Sequence, residues 1–233
     1  MLISGIQPFT ALDYPDKTAC IVFTPGCNFR CGYCHNPEFV LPEKIIQLKD
    51  SFIPDESFFA FLDKRRGLLD GVVISGGEPT LAYDLLGFMR RVKALGFKVK
   101  LDTNGNRPDV LDQAIAKDLV DYFAMDVKTS LAAYQALVGS LVRPENIKRS
   151  IDIIKRSGVD YEFRTTLIKE AHSAIILEEL CSLIAGAKRW YLQTFRPEHT
   201  LRPEFANYHA FSPEDMKGIA EQIRGKVGEV AMR

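Results

Sequence analysis

The 233-residue chain carries 30 basic and 30 acidic residues, so its formal net charge is zero. This balance argues against nucleic acid as a partner, because phosphate backbones attract proteins with a large excess of positive charge. No apolar stretch approaches the roughly 20 residues that cross a membrane, so we expect no membrane span either. Five cysteines, three of them clustered, are typical of a reducing compartment and predict a cytoplasmic protein.

Short runs of β-branched and aromatic residues alternate with helical patterns along the chain. The runs predict strands at residues 19–23, 71–74, 98–101, 122–125, 161–164 and 190–193. Start and stop signals predict helices over residues 54–62, 83–95, 107–119, 145–157 and 174–184, with a last helix beginning at 212. The most linker-like segment is 42–54, which contains four charges and two prolines.

Repeated strand–helix alternation implies a parallel sheet with right-handed crossovers. Six such units are too few for the complete barrel of eight. We therefore predict an α/β fold of the TIM type, an open partial (β/α)6 barrel, in which residues 1–233 form a single domain. The gap in such a barrel would admit a large substrate.

Three cysteines, Cys27, Cys31 and Cys34, follow the first predicted strand within the loop of residues 24–40. Iron–sulfur cubanes are held by cysteine thiolates, normally four. A set of three leaves one iron without a protein ligand and open to a small molecule. The spacing therefore predicts a cluster with one reactive iron.

Other interpretations of these cysteines remain open at this point. Cys31, Cys34 and His35 form the C-x-x-C-H pattern of c-type haem attachment, although residues 1–20 lack the basic and apolar regions of an export signal. Cys27 with the same three residues has the ligand types of a zinc site, but two adjacent ligands fit one tetrahedron poorly. Buried thiols without any metal are the third interpretation.

Polar residues follow five of the predicted strands. The first strand leads into the cysteine loop, and the others lead into the segments 75–78, 102–105, 126–128 and 193–196. In βα barrels the chemistry gathers at the C-terminal ends of the strands. Each segment alone is ordinary turn or surface chemistry, but their shared position predicts an active site.

These motifs together resemble the radical S-adenosylmethionine (SAM) superfamily, and within it the activating enzymes of glycyl radical enzymes. The resemblance extends over nearly the whole chain and is strongest for the activating proteins of anaerobic ribonucleoside-triphosphate reductase. It is carried by the residues 3–10, 13–15, 34–37, 75–79, 101–105 and 126–128.

The resemblance implies the chemistry. Cys27, Cys31 and Cys34 would bind a [4Fe-4S] cluster that cleaves SAM to a 5'-deoxyadenosyl radical, which would generate a glycyl radical on the partner. Flavodoxin or ferredoxin would supply the electron. The backbone around Tyr33 and His35 would receive the adenine of SAM.

Further contacts with SAM are implied in the same way. The methionyl amino group would meet Gly76, Gly77 and Glu78, while Asp126 and Lys128 would hold the ribose and carboxylate regions. Two neighbouring residues, Asp102 and Thr103, resemble a monovalent-cation site that lies beside the SAM carboxylate.

Two positions depart from the pyruvate formate-lyase activating enzymes. This chain reads Asp-Tyr-Pro-Asp at 13–16 where those enzymes have Asp-Gly-Pro-Gly, and Arg196 stands where they have a histidine. We expect Arg196 to contact SAM. Arg164, at the end of the fifth predicted strand, is expected to contact SAM or the incoming substrate loop, or else to form a buried ion pair.

Only Cys20 and Cys181 remain outside the cysteine loop, and both lie in apolar runs where we expect them to be buried. The chain therefore lacks thiols for an auxiliary cluster. Three alternatives stay open: a pyruvate formate-lyase-type activase, a one-cluster radical SAM enzyme acting on a small molecule, such as a deazapurine synthase, and a zinc-organised binding module without enzymatic activity.

Overall fold

The computed structural model describes residues 1–34, 36–198 and 200–233. Within this part of the chain, eight strands follow one another in one sheet in sequence order. The strands are β1 Gly5–Thr10, β2 Ala19–Thr24, β3 Gly71–Gly76, β4 Lys98–Thr103, β5 Tyr122–Asp126, β6 Asp160–Leu167, β7 Arg189–Thr194 and β8 Glu229–Met232. The α-helices are α1 Pro42–Leu48, α2 Asp55–Asp63, α3 Leu85–Ala94, α4 Pro108–Ala116, α5 Tyr134–Val138, α6 Pro144–Arg156, α7 Ala174–Ile184 and α8 Pro213–Ile223.

Most of the strand pairs are parallel, as the alternation of strands and helices predicts. β1 pairs with β2 in the antiparallel sense, whereas β2 with β3, β3 with β4, β6 with β7 and β7 with β8 are parallel. The predicted α/β class is confirmed, and the six predicted strands are β2 to β7. No helix of the described residues combines the length and the apolar character needed to cross a bilayer.

The structure adds strands and helices that the sequence pattern did not predict. β1 contains Pro8 and exposes its central residues, and a proline within a short run argues against a strand. β8 has only four residues, and α5 has five, so neither is long enough to show a clear periodicity. α1 occupies most of the segment that was interpreted as linker-like.

The first of two compact units consists of residues Met1–Asn28, Glu38–Thr103 and Asp109–Phe123. β2 and β3 are almost entirely buried, as expected for parallel strands covered on both faces. Side chains from one face of these strands pack with two tyrosines in a buried cluster of Tyr14, Ala19, Ile21, Val73 and Tyr122. This packing fixes the two strands whose C-terminal ends lead into the cysteine loop and into the polar segment 75–78.

The second unit consists of residues Phe29–Pro37, Asn104–Pro108 and Ala124–Arg233. In α6 the isoleucines at 147, 151 and 154 are buried, which is the spacing of one helix face. Trp190 on β7 is fully buried, and its indole N–H donates to the Thr165 hydroxyl at 2.9 Å. The assignment of residues 1–233 to one domain stays a prediction.

Candidate functional site

The Gly-Gly-Glu segment after β3 lies against the chain that enters the cysteine loop, within the first unit. The Gly77 N–H donates to the Thr24 carbonyl at 2.8 Å, and the Glu78 N–H donates to the Gly26 carbonyl at 2.7 Å. A Cβ on Gly76 would lie 2.3 Å from the Thr24 nitrogen, and one on Gly77 would lie 2.1 Å from the Gly26 oxygen. Gly76 also has φ +117°, which favours glycine. The two glycines are therefore needed for this close approach of two backbones.

The Glu78 side chain is part of the fold as well as part of the motif. It is 1% exposed. Its Oε1 accepts hydrogen bonds from the Thr80 backbone N–H at 3.1 Å, from the Thr80 hydroxyl, and from the Thr103 hydroxyl at 2.8 Å. A buried carboxylate needs such donors, because its desolvation is otherwise costly. Glu78 thus connects the ends of β3 and β4.

Asp102 at the end of β4 is held by two protein groups. Lys100 Nζ lies 2.5 Å from Asp102 Oδ1, and the Ser75 hydroxyl donates to Oδ2 at 3.2 Å. Residues 100 and 102 lie on the same face of the strand, because side chains alternate along it. The end of β4 therefore presents a neutralised carboxylate and not a bare one.

In the second unit, Asp126 at the end of β5 accepts from two cations. Arg164 Nε lies 2.8 Å from Oδ1, and Lys128 Nζ lies 3.1 Å from Oδ2. Burial alone would raise the pKa of Asp126, but the charges of Arg164 and Lys128 hold it well below its usual range. Burial opposes the charge of Lys128, yet the Asp126 carboxylate raises the pKa of this ammonium well above its usual value. Both groups are therefore charged at neutral pH.

Two further residues, which sequence reasoning missed, fix the backbone of Lys128. The Lys128 N–H donates to the Tyr134 hydroxyl at 2.9 Å, and His172 Nε2 lies 2.9 Å from the Lys128 carbonyl. His172 Nδ1 accepts from the Ile168 N–H at 3.0 Å, which assigns the proton to Nε2. An isolated histidine and an isolated tyrosine give no signal of this role in the sequence.

The part of the cysteine loop that belongs to the second unit packs against the segment of residues 202–208. The Arg202 N–H donates to the Gly32 carbonyl at 3.0 Å, and the Tyr33 and Phe205 rings lie 6.2 Å apart. Tyr33 is buried, and Lys128 Nζ lies 5.9 Å from the centre of its ring. This places the Tyr33 position beside the ion pair of Lys128 and Asp126.

All five cysteines are thiols and not disulfides. Cys31 is buried, and burial raises the pKa of its thiol to about 11 against the opposing effect of the Lys128 charge. The predicted burial of Cys20 and Cys181 is confirmed. Among residues 1–34, 36–198 and 200–233, no three His, Cys, Asp or Glu side chains are grouped so as to hold one metal ion. A cubane does not need such a group, because its thiolates bind different irons, and a set of cysteine thiols fits it chemically.

The predicted site residues thus form two networks, each within one unit. Gly76, Gly77, Glu78, Asp102 and Thr103 belong to the first network. Tyr33, Cys31, Asp126, Lys128 and Arg164 belong to the second, where Arg164 forms the ion pair that was one of its expected roles. Arg196 follows β7 and is exposed. The predicted role of His35 lies outside the described residues.

Gly32 leaves no room for a side chain, which allows a test of the packing under the cysteine loop. A Cβ there would lie 2.0 Å from the Phe205 ring, whereas one on Gly218 in α8 would meet nothing. We expect Gly32→Ala to lower the free energy of unfolding by about 1–3 kcal/mol, as overpacking does. Gly218→Ala, the matched control, should raise it by about 0.5–1 kcal/mol through helix propensity.

Denaturant unfolding measures both changes, and a double variant tests the contact itself. Because Phe205→Leu shortens the ring that a Cβ would meet, the double variant should be more stable than the sum of the single effects predicts. If Gly32→Ala is tolerated as well as Gly218→Ala, the proposed contact between Gly32 and Phe205 is wrong.

His172 predicts a pH dependence of stability. Burial lowers the pKa of His172 below its usual value near 6.5, although its two backbone partners oppose the shift. His172 therefore binds a proton more readily in the unfolded chain than in the folded chain. Stability contributed by neutral His172 is present above about pH 6.5 and is lost as the pH falls below it, by at most about 1.4 kcal/mol per pH unit.

The measurement is the free energy of unfolding at pH 7.5 and at pH 5.5 for the wild type and for His172→Gln, which keeps a polar side chain but does not titrate. We expect the wild type to lose more stability than the variant over this interval. Equal losses would show that His172 titrates in the same way in the folded and unfolded states.

Comparison with known proteins identifies the family of the chain. The model of the radical SAM superfamily matches residues 21–173. A protein of Methanocaldococcus jannaschii, named provisionally as a glycyl-radical enzyme activating enzyme, is 31% identical over 237 residues, which cover 100% of this chain and 95% of that protein. The 7-carboxy-7-deazaguanine synthase of Thermococcus kodakarensis is 28% identical over 149 residues, or 57% of each protein.

A solved structure supports the fold. A domain of the pyruvate-formate lyase-activating enzyme from Bacteroides vulgatus matches 70% of this chain and 98% of its own length, with a TM-score of 0.56 at 19% identity. Radical SAM enzymes use a [4Fe-4S] cluster and SAM, so the zinc and haem interpretations are set aside. With the family model matching residues 21–173 and one relative matching the whole length, the chain belongs to the radical SAM superfamily and, within it, to the glycyl-radical enzyme activating enzymes.

Proposed function

We propose that this protein generates a glycyl radical on anaerobic ribonucleoside-triphosphate reductase. The observation that supports glycyl-radical activation is the match over the entire chain to a protein named for it, whereas the choice of the reductase depends on the motifs of this chain. The five thiols and the oxygen sensitivity of such a cluster also favour a cytoplasmic location.

The residue roles follow the motifs of the chain. Cys27, Cys31 and Cys34 would hold the cluster, and the backbone around Tyr33 and His35 would receive the adenine. The amino group of SAM would lie near the segment of residues 76–78. Because the Glu78 carboxylate already accepts three hydrogen bonds, we assign the recognition of this amino group chiefly to the backbone carbonyls of the segment.

Held by Cys27, Cys31 and Cys34, a [4Fe-4S] cluster would supply the one electron for the reductive cleavage of SAM to methionine and a 5'-deoxyadenosyl radical. Transfer of a hydrogen atom from the Cα of the target glycine to this radical would leave 5'-deoxyadenosine and a glycyl radical. Flavodoxin or ferredoxin would supply the electron. The residues of this chain do not take part in these bond changes; they bind and orient SAM and exclude water.

The charges of the second unit suit that task. Lys128 carries its charge on a fixed backbone, because Tyr134 and His172 bind its N–H and its carbonyl. An ammonium group held in this way is a preorganised partner for the SAM carboxylate. Asp126, whose Oδ1 is held by Arg164 and whose Oδ2 is held by Lys128, is a suitable acceptor for ribose hydroxyls. Arg196 is proposed to contact SAM or the incoming substrate loop.

The choice of partner depends on differences from pyruvate formate-lyase activation. Residues 13–16 read Asp-Tyr-Pro-Asp in place of Asp-Gly-Pro-Gly, and Arg196 stands in place of a histidine. Both differences favour the reductase over pyruvate formate-lyase, which remains the alternative glycyl radical partner. A small-molecule substrate is the second candidate function, and the similarity to a deazaguanine synthase favours it, although that match covers only 57% of the chain.

The test uses the anaerobically reconstituted protein, reduced with flavodoxin or dithionite and mixed with SAM and anaerobic ribonucleotide reductase. We expect about four irons per chain, formation of 5'-deoxyadenosine and methionine, and a glycyl doublet in the EPR spectrum of the reductase. Cys31→Ala should abolish the cluster and all three products. Cys20→Ala is the matched control, because Cys20 is also buried but lies in β2, and this variant should retain them.

Each other outcome overturns a different part of the proposal. A doublet that appears only on pyruvate formate-lyase would show that the partner is wrong. Formation of 5'-deoxyadenosine without a radical on either enzyme would favour the small-molecule substrate. Loss of the cluster in Cys20→Ala would show that the ligands are wrong.

A further inference from the structure

Lys100 is the most deeply buried lysine of the first unit, and the proposed function does not use it. It is 1% exposed, on a strand whose neighbouring residues are largely apolar. Its Nζ lies 2.5 Å from Asp102 Oδ1 and 6.0 Å from the centre of the Tyr122 ring. Buried lysines are rare unless they are paired, so the burial of the Lys100 ammonium group requires an explanation.

The position of Lys100 follows from the sheet register. In the parallel pair of β3 and β4, Lys100 is the partner of Val73, and Asp102 points to the same face two residues later. Ser75, two residues after Val73 and therefore on the same face of β3, donates its hydroxyl hydrogen to Asp102. Lys100 therefore lies directly below Asp102 on the face that carries the polar residues of the strand ends.

These contacts do not fit the monovalent-cation site that resemblance implied for Asp102 and Thr103. One oxygen of Asp102 is occupied by the Lys100 ammonium, and the other accepts from Ser75. The Thr103 hydroxyl donates its hydrogen to Glu78 and so belongs to the buried hydrogen-bond network of that carboxylate. A bound metal ion would place a second positive charge beside Lys100, which Coulomb repulsion disfavours.

We infer that Lys100 is the permanent counter-cation of Asp102, and that this site takes no monovalent metal ion. Lys100 is then a positioning residue, which acts on the SAM site through Asp102 and Ser75. The inference rests on the proposed function only for its link to SAM; the absence of a metal site is a property of the protein alone. A covalently attached cation is present at every salt concentration, so stability and SAM affinity should not depend on which monovalent cation is in solution.

The first experiment needs neither cluster nor SAM. The thermal midpoint of the wild type is measured in potassium, sodium and tetramethylammonium chloride at equal ionic strength, because tetramethylammonium is too large for a protein metal site. We expect the three midpoints to be equal within about 1 °C, and thallium(I) NMR to show no bound ion. A specific stabilisation by potassium or sodium that Asp102→Asn removes, or a bound thallium signal that the same variant removes, would overturn the inference.

A second experiment separates the charge of Lys100 from its packing. Lys100→Ala leaves space and an uncompensated Asp102, and Lys100→Met fills the space without a charge. We expect Lys100→Ala to bind SAM at least tenfold more weakly in tetramethylammonium chloride than in potassium chloride, and Lys100→Met to be weak in both. Equal affinity of Lys100→Ala in the two salts would show that the charge has no positioning role. If this variant fails to fold, the wild-type thallium measurement still decides whether a metal ion binds.

Discussion

The close approach of the Gly-Gly-Glu backbone to the chain that enters the cysteine loop is the constraint on which the first network depends. Two backbone hydrogen bonds, from Gly77 to Thr24 and from Glu78 to Gly26, fix the start of the loop to the end of β3. Any side chain at residue 76 or 77 would collide with backbone atoms, which cannot move aside. This steric requirement of the fold is enough to explain both glycines.

Ion pairs hold two carboxylates at the strand ends. The chain is neutral overall, yet these two carboxylates are each bound by cations. Lys100 on the same strand binds Asp102, whereas Lys128, just beyond β5, and Arg164 on β6 bind Asp126. Removing charged groups from water is expensive, and the attraction between them recovers this cost only when the geometry is good. Such pairs are therefore better explained by the orientation they provide than by the stability they add. Within the second unit, Lys128, Asp126 and Arg164 thus hold one another in place without a ligand.

Much of the fold could be predicted from the sequence because the strongest signals are local. The strands β2 to β7 contain apolar runs with clear ends, and glycine or proline marks the ends of the longer helices. The sequence pattern did not predict β1, because it contains a proline, or β8, because it has only four residues. The linker-like interpretation of residues 42–54 failed because charges on an exposed helix such as α1 look the same as charges in a loop.

The site was predictable in its residue types but not in its contacts. Cys27, Gly76 and Lys128 stand in motifs that point to their chemistry, whereas the roles of His172, Tyr134 and Phe205 depend on contacts between residues far apart in sequence. The placement of Lys100 against Asp102 is visible in retrospect, since residues two apart share a face of a strand, but nothing in the pattern excludes a solvated lysine. Long-range packing decided these cases.

Three cysteine thiolates would leave one iron of the cluster open for SAM. The most direct test of this open iron is electron–nuclear double resonance of the reduced, reconstituted protein with SAM that carries ¹⁵N in the amino group. We expect a ¹⁵N coupling strong enough for direct coordination to the cluster, and its loss when SAM is omitted. A normal reduced cluster that shows no ¹⁵N coupling at saturating SAM would show that SAM does not bind the open iron.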